Sequence, residues 1–156
     1  MVSTSRSPDL PVPFGEATVF DAMSNGVIHC APETPLRVVA RLMATYGVHA
    51  IYVFNYGDED DENVELWGLV SDLDVAAAAC GGLEGKTARS SAVTPLYTVA
   101  SDEPLGVAAE IMALKGTTHL AVLDAVSRRP VGVVSTLDIA RAVAAENDTF
   151  ETQASG

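Results

Sequence analysis

The sequence predicts a mixed α/β (α+β) fold in which two β-α-β-β-α units pack sheet to sheet with pseudo-two-fold symmetry. The first observation is a repeat, since Trp67–Ala77 matches Val131–Arg141, with Gly, Val, Ser, Leu, Asp and Ala recurring 64 positions apart. The second is an apolar helix stripe ahead of each segment, repeated at a spacing of 69. One such unit cannot cover the apolar faces of its sheet and helices, so the copies are expected to bury them together.

The first copy contains a short helical turn, three strands and two longer helices. Thr34 is expected to cap the first long helix, with Pro35 at its first helical position. Gly47 is expected to end it. Its buried stripe is Leu36, Val39, Ala40 and Met43. The predicted elements are a turn at Val19–Met23, strands at Val27–Ala31, Ala50–Phe54 and Leu66–Val70, helices at 34–47 and 71–79, and an acidic loop at 55–65.

The second copy repeats this order. Pro104 opens a helix that Gly116 ends, and its stripe is Leu105, Ala108, Ala109 and Met112. The predicted strands are Leu96–Ala100, Leu120–Leu123 and Val131–Val134, and the last helix runs from Thr136 to about Ala144. The predicted organisation is therefore a flexible N-terminal arm at 1–17, repeats at 18–80 and 92–145, a linker at 81–91, and a frayed C-terminal tail at 146–156.

Composition excludes several classes of function. Of the 156 residues, 48% are hydrophobic and 19% charged, as in an ordinary globular protein. Nine basic residues against 21 acidic ones argue against nucleic acid and anionic membrane surfaces as partners. No apolar run approaches the ~20 residues of a membrane span, and the first residues lack a signal-peptide core. A reduced, cytoplasmic protein is expected.

No motif indicates catalysis or a metal site. Cys30 and Cys80 form no metal-binding spacing, and no HExxH or Gly-x-Ser-x-Gly occurs. The acidic run in the loop at 55–65 lacks the Gly and the distant Glu of a calcium loop. The expectation is a protein that is not an enzyme and holds no metal.

The repeated Ser-x-x-Asp segment has two interpretations. It fits a capping box, in which Ser caps a helix and Asp reaches back. It also fits a ligand site, because a helix start attracts phosphate and a carboxylate can accept from two hydroxyls. In the second copy Arg141 shares a helix face with Asp138 and could reach phosphate, whereas the first copy has Ala77 at that position. Asp72 adds a further negative charge in the first copy.

The ordered set of motifs resembles a tandem CBS-domain pair (a Bateman module). The resemblance spans residues 18–144 and indicates a stand-alone CBS domain protein. It rests on Val19-x-Asp21-x-Met23, on Thr34-Pro35-Leu36, on Gly47 and Gly116, and on the Gly-x-x-Ser-x-x-Asp segments ending at Asp74 and Asp138.

This resemblance implies a regulatory module that binds an adenosine ligand (AMP, ADP or ATP) between its repeats and signals to an unidentified protein partner. It also implies a homodimer. The expected ligand-binding residues of the second copy are Ser135, Asp138, Arg141, Thr98, Val99, Ala100 and His119, with Arg141 added on physical grounds. The expected residues of the first copy are Ser71, Asp74, His29, Cys30, Ala31 and Ala50.

The charges predict that the Asp138 site binds a nucleotide and that the Asp74 site binds weakly or not at all. Lys86, Arg89 or Lys115 could still serve either site. Two alternatives remain open. One is a ligand-free dimeric interaction scaffold. The other is an S-adenosylmethionine sensor, because a sulfonium cation suits the acidic first copy. Residues 18–80 contain ten acidic residues and only two basic ones, Arg37 and Arg41.

Overall fold

The computed structural model describes residues 11–56, 64–92 and 96–154. The described residues form six helices and seven strands. The helices are α1 (Val19–Ala22), α2 (Leu36–Tyr46), α3 (Asp72–Cys80), α4 (Ala88–Ser91), α5 (Leu105–Lys115) and α6 (Thr136–Ala154). The strands are β1 (Ser24–Asn25), β2 (His29–Cys30), β3 (Ala50–Tyr56), β4 (Val64–Ser71), β5 (Thr98–Ala100), β6 (His119–Leu123) and β7 (Pro130–Ser135).

The chain divides into two compact units, each built on one sheet. The unit Gly26–Tyr97 holds the sheet β2-β3-β4, and the other unit, described up to Asn25 and again from Thr98, holds β1-β7-β6-β5. In each unit the first strand of the repeat pairs parallel with the second, which pairs antiparallel with the third. A parallel pair needs a crossover, and α2 and α5 supply it. The predicted α/β class and the β-α-β-β-α order are confirmed.

The crossover helices α2 and α5 have matching ends. Pro35 and Pro104 precede them with φ/ψ of −55°/137° and −56°/141°. Gly47 and Gly116 end them in the left-handed region at φ 64° and 63°, where a side chain would be strained. The prediction that Thr34 caps α2 is wrong by one residue. The ψ of Pro35 is extended, so Pro35 itself is the cap residue and the helix begins at Leu36.

The predicted apolar stripes lie in the core. Leu36, Val39 and Met43 are buried on α2, and Leu105, Ala108 and Met112 are buried at the matching positions of α5. The fourth predicted members, Ala40 and Ala109, are both half-buried. Burial of a Leu or Val side chain contributes about 1.5–3 kcal/mol, so these stripes fix each helix on its sheet.

The short segments ahead of the two β-α-β-β-α orders are exchanged, because each belongs to the compact unit that holds the other repeat. This exchange was not predicted from the sequence. In one unit, Val19 N donates to Glu103 O and Leu105 N donates to Ala17 O, each at 2.9 Å. In the other, Ala88 N donates to Thr34 O at 2.8 Å and Leu36 N donates to Lys86 O at 2.9 Å. Residues 81–91, predicted as a linker, therefore contain α4 and supply the start of α2 with a backbone partner.

Several boundaries differ from the predictions. The last helix continues to Ala154 instead of ending near Ala144, since no Gly or Pro interrupts it before Gly156. Strands β2 and β5 are shorter than predicted, because only His29–Cys30 and Thr98–Ala100 find partners on the neighbouring strand. β1 was not predicted and pairs antiparallel with β7.

The arm predicted at 1–17 is described only from residue 11. Phe14 N donates to Ala142 O at 3.1 Å, Gly15 N donates to the Glu146 carboxylate at 3.0 Å, and Ala17 is buried. Most of the predicted acidic loop, residues 57–63, lies outside the described residues. No helix in the described ranges is long and apolar enough to cross a membrane.

Candidate functional site

The Ser-x-x-Asp segment of the second copy lies where β7 passes into α6. Ser135 donates to Asp138 Oδ2 twice, from its backbone N at 2.8 Å and from Oγ at 3.0 Å. Asp138 N donates back to Ser135 Oγ at 3.3 Å. This is the geometry of a capping box, so Asp138 caps the helix as one of the two interpretations predicted. The cap uses only its Oδ2 atom.

The other carboxylate oxygen of Asp138 lies beside a cation. Arg141 Nη1 is 3.8 Å from Asp138 Oδ1 on the same helix face. Asp138 is only 8% exposed, whereas the Arg141 side chain is 65% exposed. Because the guanidinium is solvated and 3.8 Å is long for a charge-assisted hydrogen bond, we expect this pair to contribute little to stability, on the order of 1 kcal/mol or less. The pair leaves Oδ1 able to accept hydroxyl groups and Arg141 able to meet an anion.

The sheet places His119 directly beside Ser135 and places Thr98–Ala100 one strand further away, on β5. His119 pairs with Ser135 across β6 and β7, and Thr136 N donates to Thr118 O at 3.0 Å. Thr98–Ala100 form β5 and pair with β6 at Ala121–Leu123. Val99 is buried, so it can offer a ligand only its backbone, while Thr98 and Ala100 are half-buried.

The first copy has the same turn between β4 and α3. Ser71 donates to Asp74 Oδ2 at 2.8 Å from N and 2.9 Å from Oγ, and Asp74 N donates to Ser71 Oγ at 3.2 Å. Ala50 pairs with Ser71, as His119 pairs with Ser135. The duplicated motif is therefore a duplicated cap, and any difference in binding must come from the residues around it.

The remaining first-copy residues lie on or beside β2, whose two residues pair with β3 at Tyr52 and Val53. His29 is exposed, and its ring centroid lies 5.0 Å from that of Phe54. Cys30 is buried, and that burial raises the pKa of its thiol more than a hydrogen bond with Thr34 lowers it. Ala31 follows the strand and is exposed. Cys30 is therefore a core thiol that can offer only its backbone to a ligand.

Asp72 and Asp74 face different surroundings. Asp72 Oδ2 lies 2.8 Å from His49 Nδ1, and Asp72 Oδ1 accepts from Leu73 N at 2.9 Å. Asp72 and His49 line an apolar pocket of about 430 Å³ between α2 and α3. Asp74 lines a separate pocket of about 320 Å³. Asp72 is thus hydrogen-bonded to His49 and lies outside the lining of the Asp74 pocket.

The Asp74 pocket, as we name it from here, is formed by α3 and by the segment that leads into α4. Its lining residues are Asp74, Ala77, Ala78, Lys86, Ser90 and Ser91. Lys86 was a candidate from its charge, but Ser90 and Ser91 were missed. The register of 69 that aligns Thr18 with Thr87 could have revealed α4, since both residues cap short helices.

In the described part of the chain, no cluster of three or more His, Cys, Asp and Glu residues could hold a metal ion.

The sequence profile named CBS domain matches residues 19–81 and 91–145. These two matches cover most of the chain, and the chain belongs to the CBS domain family. The predicted tandem CBS pair is confirmed. A search of curated proteins finds no match.

Several solved structures share this fold. The CBS domain pair of protein MJ0100, in complex with 5-methylthioadenosine and S-adenosyl-L-methionine, is 23% identical, with a TM-score of 0.69 over 83% of this chain and 98% of that one. CBSX2 in complex with AMP is 22% identical, with a TM-score of 0.60 over 83% and 98%. Hypoxic Response Protein I, which holds two coordinated zinc ions, is 26% identical, with a TM-score of 0.58 over 80% and 98%.

Proposed function

We propose that this protein is a non-catalytic regulatory module that binds an adenine nucleotide (AMP, ADP or ATP) at Asp138 and passes the occupancy on to a protein partner. The observation that carries the proposal is the buried Asp138 carboxylate. One of its oxygens is held by the cap, and the other lies 3.8 Å from the exposed Arg141 guanidinium. A capping residue alone needs no such cation.

The chemistry of this pair suits a nucleotide. A carboxylate oxygen accepts strongly from ribose hydroxyls, and a guanidinium matches two phosphate oxygens. The start of α6 adds the partial positive charge of a helix N-terminus. His119, Thr98 and the backbone of Val99 and Ala100 supply the neighbouring surface for the base. Support also comes from the relatives, since CBSX2 was solved with AMP and the MJ0100 pair with two adenosine ligands.

The first-copy site, formed by Ser71, Asp74, His29, Cys30, Ala31 and Ala50, is proposed to bind more weakly. Ala77 stands where the second copy has Arg141, so its helix offers no guanidinium. S-adenosylmethionine is the second candidate ligand, favoured by the acidic surplus of the first copy and by its presence in the MJ0100 structure. A cytoplasmic homodimer remains the expected form of the protein. A ligand-free scaffold is the outcome if no ligand binds.

The test is a thermal-shift series with AMP, ADP, ATP, S-adenosylmethionine and NADH. A ligand at 100 times its Kd adds about 2.7 kcal/mol, which at about 2–4 °C per kcal/mol raises the Tm by several degrees. Asp138→Asn keeps an acceptor for Ser135 N and removes the charge, and Asp74→Asn is its matched control. We expect the nucleotide shift to be lost only in Asp138→Asn. Equal losses in both variants would overturn the ranking, and no shift with any ligand would favour the scaffold.

A further inference from the structure

The connection between β6 and β7 carries the only adjacent pair of basic residues in an acidic chain. This pair is Arg128 and Arg129, in a protein with nine basic residues and a formal net charge of −12. Both residues are exposed, and Val126 beside them is 92% exposed. Among the residues that the structure describes, the arginines with an acidic partner are Arg89 and Arg141. The two guanidinium groups of this connection are therefore open to a partner.

The basic turn, as we name residues 124–129, is fixed by its own hydrogen bonds. The Asp124 carboxylate accepts from Val126 N and Ser127 N. Arg128 N donates to Asp124 O at 3.0 Å, and Asp124 N donates to Arg129 O at 2.8 Å. Arg128 has a φ of 61° and is the one non-glycine residue with a positive φ in the described ranges. Because glycine would adopt this conformation without strain, an arginine here indicates that its guanidinium group is used.

The matching connection of the first copy has the opposite charge. Residues 57–63 join β3 to β4, as the basic turn joins β6 to β7. Within them, residues 58–62 are all acidic, and no other run of more than two acidic residues occurs in the sequence. The repeat spacing falls from 69 before this connection to 64 after it, so the first copy has five additional residues here. The two copies therefore differ at equivalent connections in both length and sign of charge.

We infer that two copies of this chain pair head to tail, with the basic turn of each protomer against the acidic segment 58–62 of the other. Equivalent connections of opposite charge come together when the first copy of one protomer faces the second copy of its partner. A two-fold axis then forms the contact twice. In a head-to-head pair each connection would face one of its own sign, which is unfavourable. The inference gives the expected homodimer an orientation and does not depend on nucleotide binding.

Sedimentation equilibrium of the full chain tests the contact through the dissociation constant of the dimer. Replacing both arginines, Arg128→Asn together with Arg129→Gln, should weaken the dimer about tenfold or more, because each protomer loses two charged contacts. Asparagine tolerates a positive φ, so the turn should keep its conformation. The matched control, Arg37→Gln together with Arg41→Gln, removes the same charge from exposed positions of α2 and should leave the constant unchanged. Equal weakening by both pairs, or an unmodified protein that is monomeric, overturns the inference.

Disulfide cross-linking tests the orientation, in a Cys80→Ser background that removes the exposed native thiol. Val126→Cys protein mixed with Asp60→Cys protein should form the mixed disulfide faster than either protein cross-links to itself. Faster self-linking of the Val126→Cys protein would mean that the two turns face each other, and it overturns the inference. A dimer without any cross-link between turn and segment also overturns it, since another surface then forms the dimer. Either failure leaves the nucleotide proposal standing, because that proposal rests on Asp138 and Arg141.

Discussion

The Asp138 and Asp74 turns differ in their surroundings and hardly at all in themselves. The three capping distances are 2.8, 3.0 and 3.3 Å in one and 2.8, 2.9 and 3.2 Å in the other. Beside one turn lies Arg141, and beside the other lies Lys86. The comparison teaches that duplication has preserved the backbone cap, whose geometry depends only on local sequence, while the charges around it have diverged.

The largest expected effects come from Leu36→Ala and Leu105→Ala. Both side chains are fully buried at matching helix positions, so each truncation should cost about 2–5 kcal/mol of unfolding free energy. Urea denaturation of both variants measures the two costs. Values that differ by more than about 2 kcal/mol would show that the two cores are not equivalent, in spite of their matching burial.

Arg141→Met tests whether the charge beside the Asp138 turn affects ligand binding. Loss of the guanidinium should weaken AMP binding about tenfold or more at the Asp138 site, since charged hydrogen bonds contribute about 1.5–3 kcal/mol. The Tm of the unliganded protein should hardly move, because the Arg141 side chain is 65% exposed. Calorimetry and a melting curve measure the two quantities separately. Unchanged affinity would count against the nucleotide proposal at this site.

Ser71→Ala and Ser135→Ala break the two caps in the same way. Each removes the Oγ that accepts from the Asp backbone N, so each should cost about 0.5–2 kcal/mol. The paired melting curves should shift by similar amounts without ligand. A much larger loss in one variant would mean that its turn supports more than a helix start.

The smallest expected effect is a pH dependence at the β6–β7 turn. The Asp124 carboxylate accepts from Ser127 N at 2.8 Å and Val126 N at 3.0 Å, and these bonds, with a further one from the Ser127 hydroxyl, lower its pKa. A lowered folded-state pKa stabilises the fold above the unfolded-state value and loses that effect as the pH falls through the folded value. Melting curves of Asp124→Asn and the unmodified protein should therefore differ slightly at pH 7, and the difference should disappear as the pH falls through the lowered folded-state pKa of Asp124. A difference in Tm that persists at low pH would show that the shape of the side chain, and not its charge, causes the effect.

The accurate predictions from sequence rest on short-range signals, although the end of the last helix was misplaced. The period of the apolar stripes, the glycines after α2 and α5 and the Ser71 cap all depend on residues within one or two helical turns. Errors occur where a distant residue decides. Leu36 N finds its acceptor at Lys86, so α2 needs no side-chain cap from Thr34. Nothing near Ser24 in sequence indicates that β1 pairs with β7.

The residues of the candidate site were predicted or missed for the same reason. Ser135, Asp138 and Arg141 lie within seven residues, so helix geometry alone places them together. Lys86, Ser90 and Ser91 meet Asp74 only because the chain returns after α3 and docks α4 against it. Their sequence pattern carries no periodicity that points to a pocket.

The fold class, the repeat and the two caps could therefore be predicted from the residues alone, because each follows from periodicity and from hydrogen bonds between near neighbours. The exchange of α1 and α4, the pairing of Asp72 with His49 and the position of Lys86 in the Asp74 pocket became visible only in the folded chain. Those features depend on contacts between residues far apart in the chain, and such contacts are selected by the burial and hydrogen bonding of the whole unit.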